Sequence, residues 1–329
     1  MASGSSCQRC IQPQIDNSKR WQPPVLEFPI PTAERFLVLL NHKAAGGQPG
    51  QLRRRIGGAM ASHGVAFDIV ETRTEEEGLY VVRKAVELGY KAVVAAGGDG
   101  TIALALRGTA RTGMPVAILP FGTGNQLALN FGIPDSLEDA VRIAVEGNVE
   151  SIDLGLMGDS HFALIAGAGL DADVMASATA ELKNRIGILA YFYSGIKHAI
   201  TSKSAKFVIH ADDQVIEVQA AMVLLANAGL IGAGSLPMEV MVAPRADFQD
   251  GLLDIAVFAP RHLPDMAGIL WRMATRRFAG DDRMCFLQAK SVRIETDPPV
   301  AIQVDGQVRG ETPLEVEIDP LAGRILVPR

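Results

Sequence analysis

The sequence predicts an α/β region built on a doubly wound parallel sheet, followed by a β-rich, antiparallel, sandwich-like region. Three observations carry this. From Arg35 to Leu119, short apolar runs alternate with segments of helical period, the pattern of a parallel sheet covered by helices on both faces. After Gly147 the apolar runs crowd together and are joined by short polar turns, the pattern of hairpins. Between the two, the run Lys91–Ala96 ends in Gly97-Gly-Asp-Gly-Thr101 and a helical pattern resumes at Ile102. A glycine-rich turn between strand and helix lets backbone N–H groups approach an anion.

Taken in order, Arg35 to Leu40 is the first buried strand. It ends in the polar turn Asn41-His-Lys-Ala-Ala-Gly-Gly47. In an open α/β sheet that carboxyl edge is where ligands bind. Pro49 opens a helix that ends near Gly64, and Phe67 to Val70 is the second strand, with Glu71-Thr72-Arg73 at its edge. Thr74 and Glu77 form a capping box for a helix that runs to Leu88 and stops at Gly89. After the glycine turn come a helix to about Thr112 and a strand from Pro115 to Leu119. Ser136 caps a helix that ends at Gly147.

In the second half, Val149–Met157 and His161–Ile165 flank the turn Gly158-Asp-Ser160. Phe207–His210 and Val215–Leu225 flank Ala211-Asp-Asp-Gln214. Further strands are expected at Met238–Val242, Leu252–Phe258, Val300–Val304, Leu314–Ile318 and Arg324–Val327. Leu263 to Phe278 reads as a helix with a basic end, Arg272, Arg276 and Arg277, near Arg283. Glu181 to about Lys203 contains an apolar helical stretch, Ile186 to Ile200, that suits a core or the lining of a lipid chain.

Asp99 is the anomaly in the glycine turn. A carboxylate there would repel a phosphate directly. It makes sense as a helix cap, or as a group facing Mg²⁺ or a hydroxyl to be deprotonated. A second turn, Phe121-Gly-Thr-Gly-Asn125, closes the strand Pro115–Leu119 at the same sheet edge. Gly122 and Gly124 allow close backbone approach, while Thr123 and Asn125 supply hydrogen bonds. Two such turns at one edge favour a nucleotide.

Gly97-Gly-Asp-Gly-Thr101 resembles the signature shared by diacylglycerol kinases, sphingosine kinases, bacterial lipid kinases and NAD kinases. Leu119-Pro-Phe-Gly-Thr-Gly-Asn-Gln-Leu-Ala128 resembles the second loop of the diacylglycerol kinase catalytic-domain family. Phe162–Ala172, Asn227-Ala-Gly229, Asp250–Asp254 and Val304-Asp-Gly306 follow in the family's order, so the resemblance covers roughly residues 35 to 329. It implies an ATP- and Mg²⁺-dependent lipid kinase with its active site in the cleft between the two regions. By resemblance, Asn41, Thr72, Gly97, Gly98, Asp99, Gly100, Thr101, Gly122, Thr123, Gly124 and Asn125 hold the nucleotide. Asp99, Asp305 and Gln307 stand at the catalytic positions. Asp247, Asp250 and the carbonyl of Leu252 form a structural Mg²⁺ site, with donors suited to a hard cation. Asp153 matches a further acidic position, and Asp171 or Asp173 extends the acidic edge of the cleft or caps a helix.

Three departures stand out. His42 replaces the family's Pro, Gln126 stands where Asp is frequent, and Gln307 replaces the Glu that resembles the proton acceptor. An amide cannot take a proton at neutral pH.

Residues 1–32 are rich in Ser, Gln and Pro and read as a disordered tail. They lack the basic start and apolar core of a secretory signal, while an organellar transit role stays open. Residues 33–148, with about 319–329 returning, are expected to form the nucleotide domain, and 149–318 the lipid-substrate domain. A net charge of −6 argues against nucleic acid as partner. Three cysteines point to a reducing, cytoplasmic setting, and Cys7-Gln-Arg-Cys10 has no second pair to complete a zinc site. The expected partner is a lipid substrate at a membrane surface, reached by peripheral contact through the basic helix end, with a homodimer as a further option. Two rivals remain: an NAD kinase-like enzyme, and a catalytically weak nucleotide or lipid sensor suggested by Gln126 and Gln307.

Overall fold

The computed structural model describes residues 34–46, 49–169, 205–232 and 239–329. The expected tail with Cys7 and Cys10, the residues Asp171 and Asp173, and the apolar stretch Ile186–Ile200 lie outside the described residues.

Strands β1 (Phe36–Asn41), β2 (Phe67–Thr72), β3 (Ala92–Gly97) and β4 (Val116–Pro120) are parallel, in the order β2-β1-β3-β4. Between and after them run α1 (Pro49–Ser62), α2 (Glu75–Glu87), α3 (Asp99–Thr109), the short α4 (Gln126–Asn130) and α5 (Leu137–Glu146). α1 packs with α5 and α2 with α3. β3 and β4 are buried along their whole length, which is why their sequences are continuous apolar runs rather than alternating ones. The start of α2 differs in one detail from the expected box. Thr74 accepts from the Glu77 N–H as expected, but the Glu77 carboxylate reaches the N–H of Arg73 instead of that of Thr74.

The second half contains β5 (Asn148–Met157), β6 (Ser160–Phe162), β7 (Ile165–Ala168), β8 (Ala205–Ala211), β9 (Gln214–Ala220), β10 (Met222–Ala226), β11 (Leu230–Gly232), β12 (Glu239–Met241), β13 (Leu253–Phe258), α6 (Leu263–Thr275), β14 (Met284–Ala289), β15 (Ser291–Asp297), β16 (Ala301–Val304), β17 (Gln307–Glu311) and β18 (Leu314–Val327). One antiparallel sheet runs β14-β13-β10-β7-β16-β17. β18, β15, β8 and β9 extend the parallel sheet of the first half and face this antiparallel one. Phe207, Ile209, Val292, Ile294 and Val316 from one sheet pack with Val223, Leu225, Ile255 and Val257 from the other. The alternate residues of β10, Met222, Leu224 and Ala226, turn to the larger core, which includes Ile269 and Met273 of α6. β10 is therefore a middle layer, buried on both faces.

That explains one difference from expectation. The apolar run Val215–Leu225 is not one strand. It breaks at Ala221, leaving the half-exposed β9 paired with β8 and sending β10 into the other sheet, between β13 and β7. Conversely, the two expected final strands are one, β18, with an irregular register between Asp319 and Gly323. β18 joins the two halves. Its start pairs with β15, Ile325 pairs in parallel with Val116 of β4, and β5 runs antiparallel along most of its length.

Asp153 on β5 pins this strand. Its side chain is fully buried, and its carboxylate accepts the N–H of Leu321 at the β18 irregularity and the N–H of Gly251, both at 2.7 Å. Its own N–H donates to the carbonyl of Phe248. Asp153→Asn turns an NH₂ toward one of two backbone donors, leaving that part-buried donor without its partner. The variant should lose about 1–2 kcal/mol in urea unfolding. A stability equal to the parent's would show that the pin is dispensable.

Candidate active site

The two glycine turns meet at the carboxyl edge of the parallel sheet. Phe121 N–H donates to the carbonyl of Gly97 at 2.9 Å, drawing the turn after β4 onto the end of β3. A Cβ on Gly122 would stand 2.5 Å from the Cα of Gly98, and one on Gly97 would stand 2.4 Å from Thr101 Oγ1. Both distances are below any real contact: Gly122 is required by the approach of the facing backbone, and Gly97 by the Thr101 side chain that packs over it. Asn125 adopts a left-handed conformation (φ 47°), which Asn tolerates better than most residues. Its Oδ1 accepts the N–H of Gly122 at 2.9 Å and holds the second turn closed.

Asp99 lies at this junction as the first residue of α3. Its carboxylate caps the neighbouring helix, accepting the N–H of Leu127 in α4 at 3.1 Å. Burial raises its pKa to about 6 against the pull of the backbone N–H donors, and the nearby charge of Asp305 raises it further. A carboxyl held near neutrality can exchange a proton under physiological conditions.

Asp305 follows β16 in a left-handed conformation (φ 45°). Its Oδ2 accepts the N–H of Ala163 at 3.0 Å, and its Oδ1 accepts those of Leu164 and Ile165 at 3.0 and 3.1 Å. Burial raises its pKa and these three donors oppose the rise. Its lone pairs are largely spent on holding the chain between β6 and β7. Gln307 is exposed, and its Oε1 accepts from Arg309 at 2.7 Å.

Asn41, Thr72, Gly98, Gly100 and Thr101 line one cavity of about 260 Å³, with Gln307 at its rim. Asn41 Nδ2 donates to Thr101 Oγ1 at 3.1 Å, tying the turn after β1 to the start of α3. Gly97 lies buried at the end of β3. Gly122 and Gly124 pack against the first turn, Asn125 braces the second turn from within, and Thr123 is exposed. A smaller cavity of about 90 Å³ adjoins, sharing Glu75, Gly100, Leu104 and Gln307. Arg107 and Arg309 line it, and both pair with Glu75. Sequence reading missed these three. Their only signal was charge, which is common on helix and strand surfaces.

The proposed metal donors lie together in the turn before β13. Asp247 Oδ1 accepts the N–H of Gln249 and Asp250 Oδ1 that of Leu252, each at 2.9 Å. Burial raises the Asp250 pKa, and the charges of Asp247 and Asp153 add to the rise. The buried Asp254 nearby is raised to about 6, first by burial, and its Oδ1 has no hydrogen-bond partner among the described residues. A hard cation would relieve this repulsion, so the donor chemistry fits Mg²⁺. Among the described residues no three His, Cys, Asp or Glu side chains gather as ligands, so such a site would depend on backbone carbonyls.

The basic end of α6 is largely neutralised. Arg272 and Arg283 both pair with Asp281, at 2.8 and 2.6 Å, and Arg283 also with Asp265. Arg276 lies 3.6 Å from Glu239, and Arg277 stacks over the exposed Trp271 at 5.5 Å.

Residues 35–157 match the family described as diacylglycerol kinase catalytic domain, and residues 165–327 the YegS C-terminal NAD kinase beta sandwich-like domain. The chain belongs to the diacylglycerol kinase catalytic-domain family. Within that family, it is 28% identical over 298 residues to a Citrobacter koseri protein named probable lipid kinase YegS-like, spanning 89% of this chain and 95% of that one. It is 30% identical over 240 residues to an uncharacterized Synechocystis protein, covering 72% of this chain and only 54% of the relative. A solved structure from Bacillus anthracis str. Sterne superposes with a TM-score of 0.77 at 23% identity, covering 89% of this chain and 95% of that one. That structure confirms the fold: a parallel α/β sheet followed by an antiparallel sandwich.

The raised pKa of Asp99 has a consequence for stability. The folded state binds the proton more tightly than the unfolded chain, so the Asp99 contribution is most favourable below about pH 4. It is lost as pH rises through 6, by up to about 3 kcal/mol. Asp99→Asn does not titrate, so its stability relative to the parent should rise between pH 4.5 and pH 8 in urea unfolding. A difference independent of pH would contradict the raised pKa.

Proposed function

We propose that this protein transfers the γ-phosphoryl group of ATP to a hydroxyl of a lipid of the diacylglycerol or sphingoid class. The observation that carries this reading is Asp99: a carboxyl with its pKa raised to about 6, at the meeting point of two glycine turns and beside a cavity lined by Asn41, Thr72, Gly98, Gly100 and Thr101. Phosphoryl transfer needs little covalent chemistry from the protein. It is driven by positioning and charge neutralisation. The N–H groups of Gly98 and Gly100 and the hydroxyl of Thr101 are suited to phosphate oxygens, and Asn41 holds that hydroxyl in place. Asp99 would accept the proton of the attacking hydroxyl or orient it. A bound Mg²⁺ would neutralise phosphate charge, and Asp247, Asp250 and the Leu252 carbonyl are the donors for a structural ion.

Asp305 is the weaker candidate for the base, because three backbone donors already occupy its oxygens. Gln307 would orient and not deprotonate. The membrane would be met through Trp271 and Arg277 more than through Arg272 or Arg283, which are committed to Asp281. No helix among the described residues is long and apolar enough to cross a membrane.

Labelled ATP offered with diacylglycerol, sphingoid bases and NAD as separate acceptors tests the reading. Transfer to a lipid and not to NAD is expected; transfer to NAD alone, or to none, would overturn it. With the accepted lipid, Asp99→Asn should fold and lose about 10²-fold or more in turnover, the scale of a positioned acid–base group. Gln307→Glu should change turnover by less than about tenfold. A gain near 10²-fold, with a new pH dependence, would instead place the missing base at position 307.

A further inference from the structure

The short helix α4 is tied to the second half of the chain in an unusual way. Gln126 and Asn130 are four residues apart and share one helix face, about 6 Å apart along the axis. Leu230 and Gly232 are two residues apart on β11, about 6.8 Å apart along the strand. The spacings match, and each side-chain amide reads one backbone residue from both sides. Gly232 N–H donates to Gln126 Oε1 at 2.6 Å, and Gln126 Nε2 donates to the carbonyl of Gly232 at 3.2 Å. Leu230 N–H donates to Asn130 Oδ1 at 3.3 Å, and Asn130 Nδ2 donates to the carbonyl of Leu230 at 3.0 Å. The two amides stand where a neighbouring β-strand would.

The opposite end of this link is Asp99. Leu127, next to Gln126, donates the N–H that holds the Asp99 carboxylate. Gln126 Nε2 also donates to the carbonyl of Gly124 at 3.1 Å. A Cβ on Gly124 would lie 3.1 Å from both Asp99 Oδ2 and Gln126 Nε2, so the amide and the carboxylate crowd one small space. Gln126 is only 4% exposed. Only an amide, which both donates and accepts, can satisfy Gly232 on both sides; a carboxylate would turn an oxygen toward the carbonyls of Gly124 and Gly232.

We propose that Gln126 and Asn130 are positioning residues for phosphoryl transfer: they key α4 to β11, which forms its own two-stranded sheet with β12, and so fix the Asp99 carboxylate relative to that part of the second half. The substitution that departs from the family pattern at 126 then has a role of its own, as a direct amide-to-backbone link. The proposal rests on the kinase reading for its effect on turnover, but its structural core does not.

The test uses the full chain with Gln126→Met, which keeps volume and helix preference, and Gln126→Glu, which keeps length and the acceptor but not the donor. Two measurements are made: kcat and KM for ATP, and hydrogen exchange at the amides of Leu230, Gly232 and Leu127. Both variants should keep KM within about twofold and lose about 10- to 10²-fold in kcat, the scale of a misplaced catalytic group. Exchange should accelerate at Leu127 as well as at Gly232. Acceleration confined to Leu230 and Gly232, with kcat unchanged, would overturn the proposal and leave the link as packing alone. If the parent protein phosphorylates no lipid, the functional reading fails. Exchange at Leu127 then still decides whether Gln126 governs the hold on Asp99. If Gln126→Met does not fold, Gln126→Glu carries both measurements.

Discussion

The site depends on one hydrogen bond between two turns: the Asp99 carboxylate on the N–H of Leu127. For it to form, the turn after β3 and the turn after β4 must touch. That contact requires Gly98 and Gly122, because any Cβ at Gly122 would occupy the space of the facing backbone. The parallel pairing of β3 with β4 brings both turns to the same edge, and the Phe121 to Gly97 hydrogen bond closes them. The carboxylate is thereby taken partly out of water and given only backbone donors, with no cation beside it among the described residues. Its pKa rises for that reason, and stability is given up at neutral pH in exchange for a group able to exchange a proton.

The second half of the molecule serves the same site from the other side. β18 continues the sheet of β3 and β4, and the hairpin β16–β17 that carries Asp305 and Gln307 lies in the other sheet, held against β18 by the shared apolar core, where Ile302 and Val304 join Leu314 and Val316. Asp153 secures the irregular part of β18 from β5. Asp305 uses its oxygens to hold the chain entering β7, which sets its charge near Asp99 and commits its carboxylate to three backbone donors. Gln307, exposed at the shared rim of the two cavities, has freedom that Asp305 lacks.

Much of this was legible in the sequence. The apolar runs of β1, β3 and β4 are continuous because helices cover both faces, and glycine turns after β3 and β4 announce backbone approach. What was not legible has physical causes. The run Val215–Leu225 hides a change of sheet at Ala221, because a strand buried on both faces and a strand buried on one can join without any turn residue. By its position Asp99 reads as a cap of its own helix, and it caps another, through a partner 28 residues away that local pattern cannot name. The four arginines near the end of α6 read as a basic patch. Asp281 and Glu239 come from a turn and a strand outside α6, and Asp265 from the helix's opposite end; together they neutralise three of the four. Gln126 looked like a loss of charge and is a gain of an amide link to β11, a pairing visible only once both halves are folded.

The central claim is that burial at the junction of the two turns raises the Asp99 pKa to about 6. The most direct measurement is a ¹³C titration of the Asp99 side-chain carboxyl in the full chain, assigned by comparison with Asp99→Asn. The account predicts a midpoint about 2 units above that of a free aspartate, near pH 6. A midpoint near 4, in the ordinary range for an exposed aspartate, would contradict it.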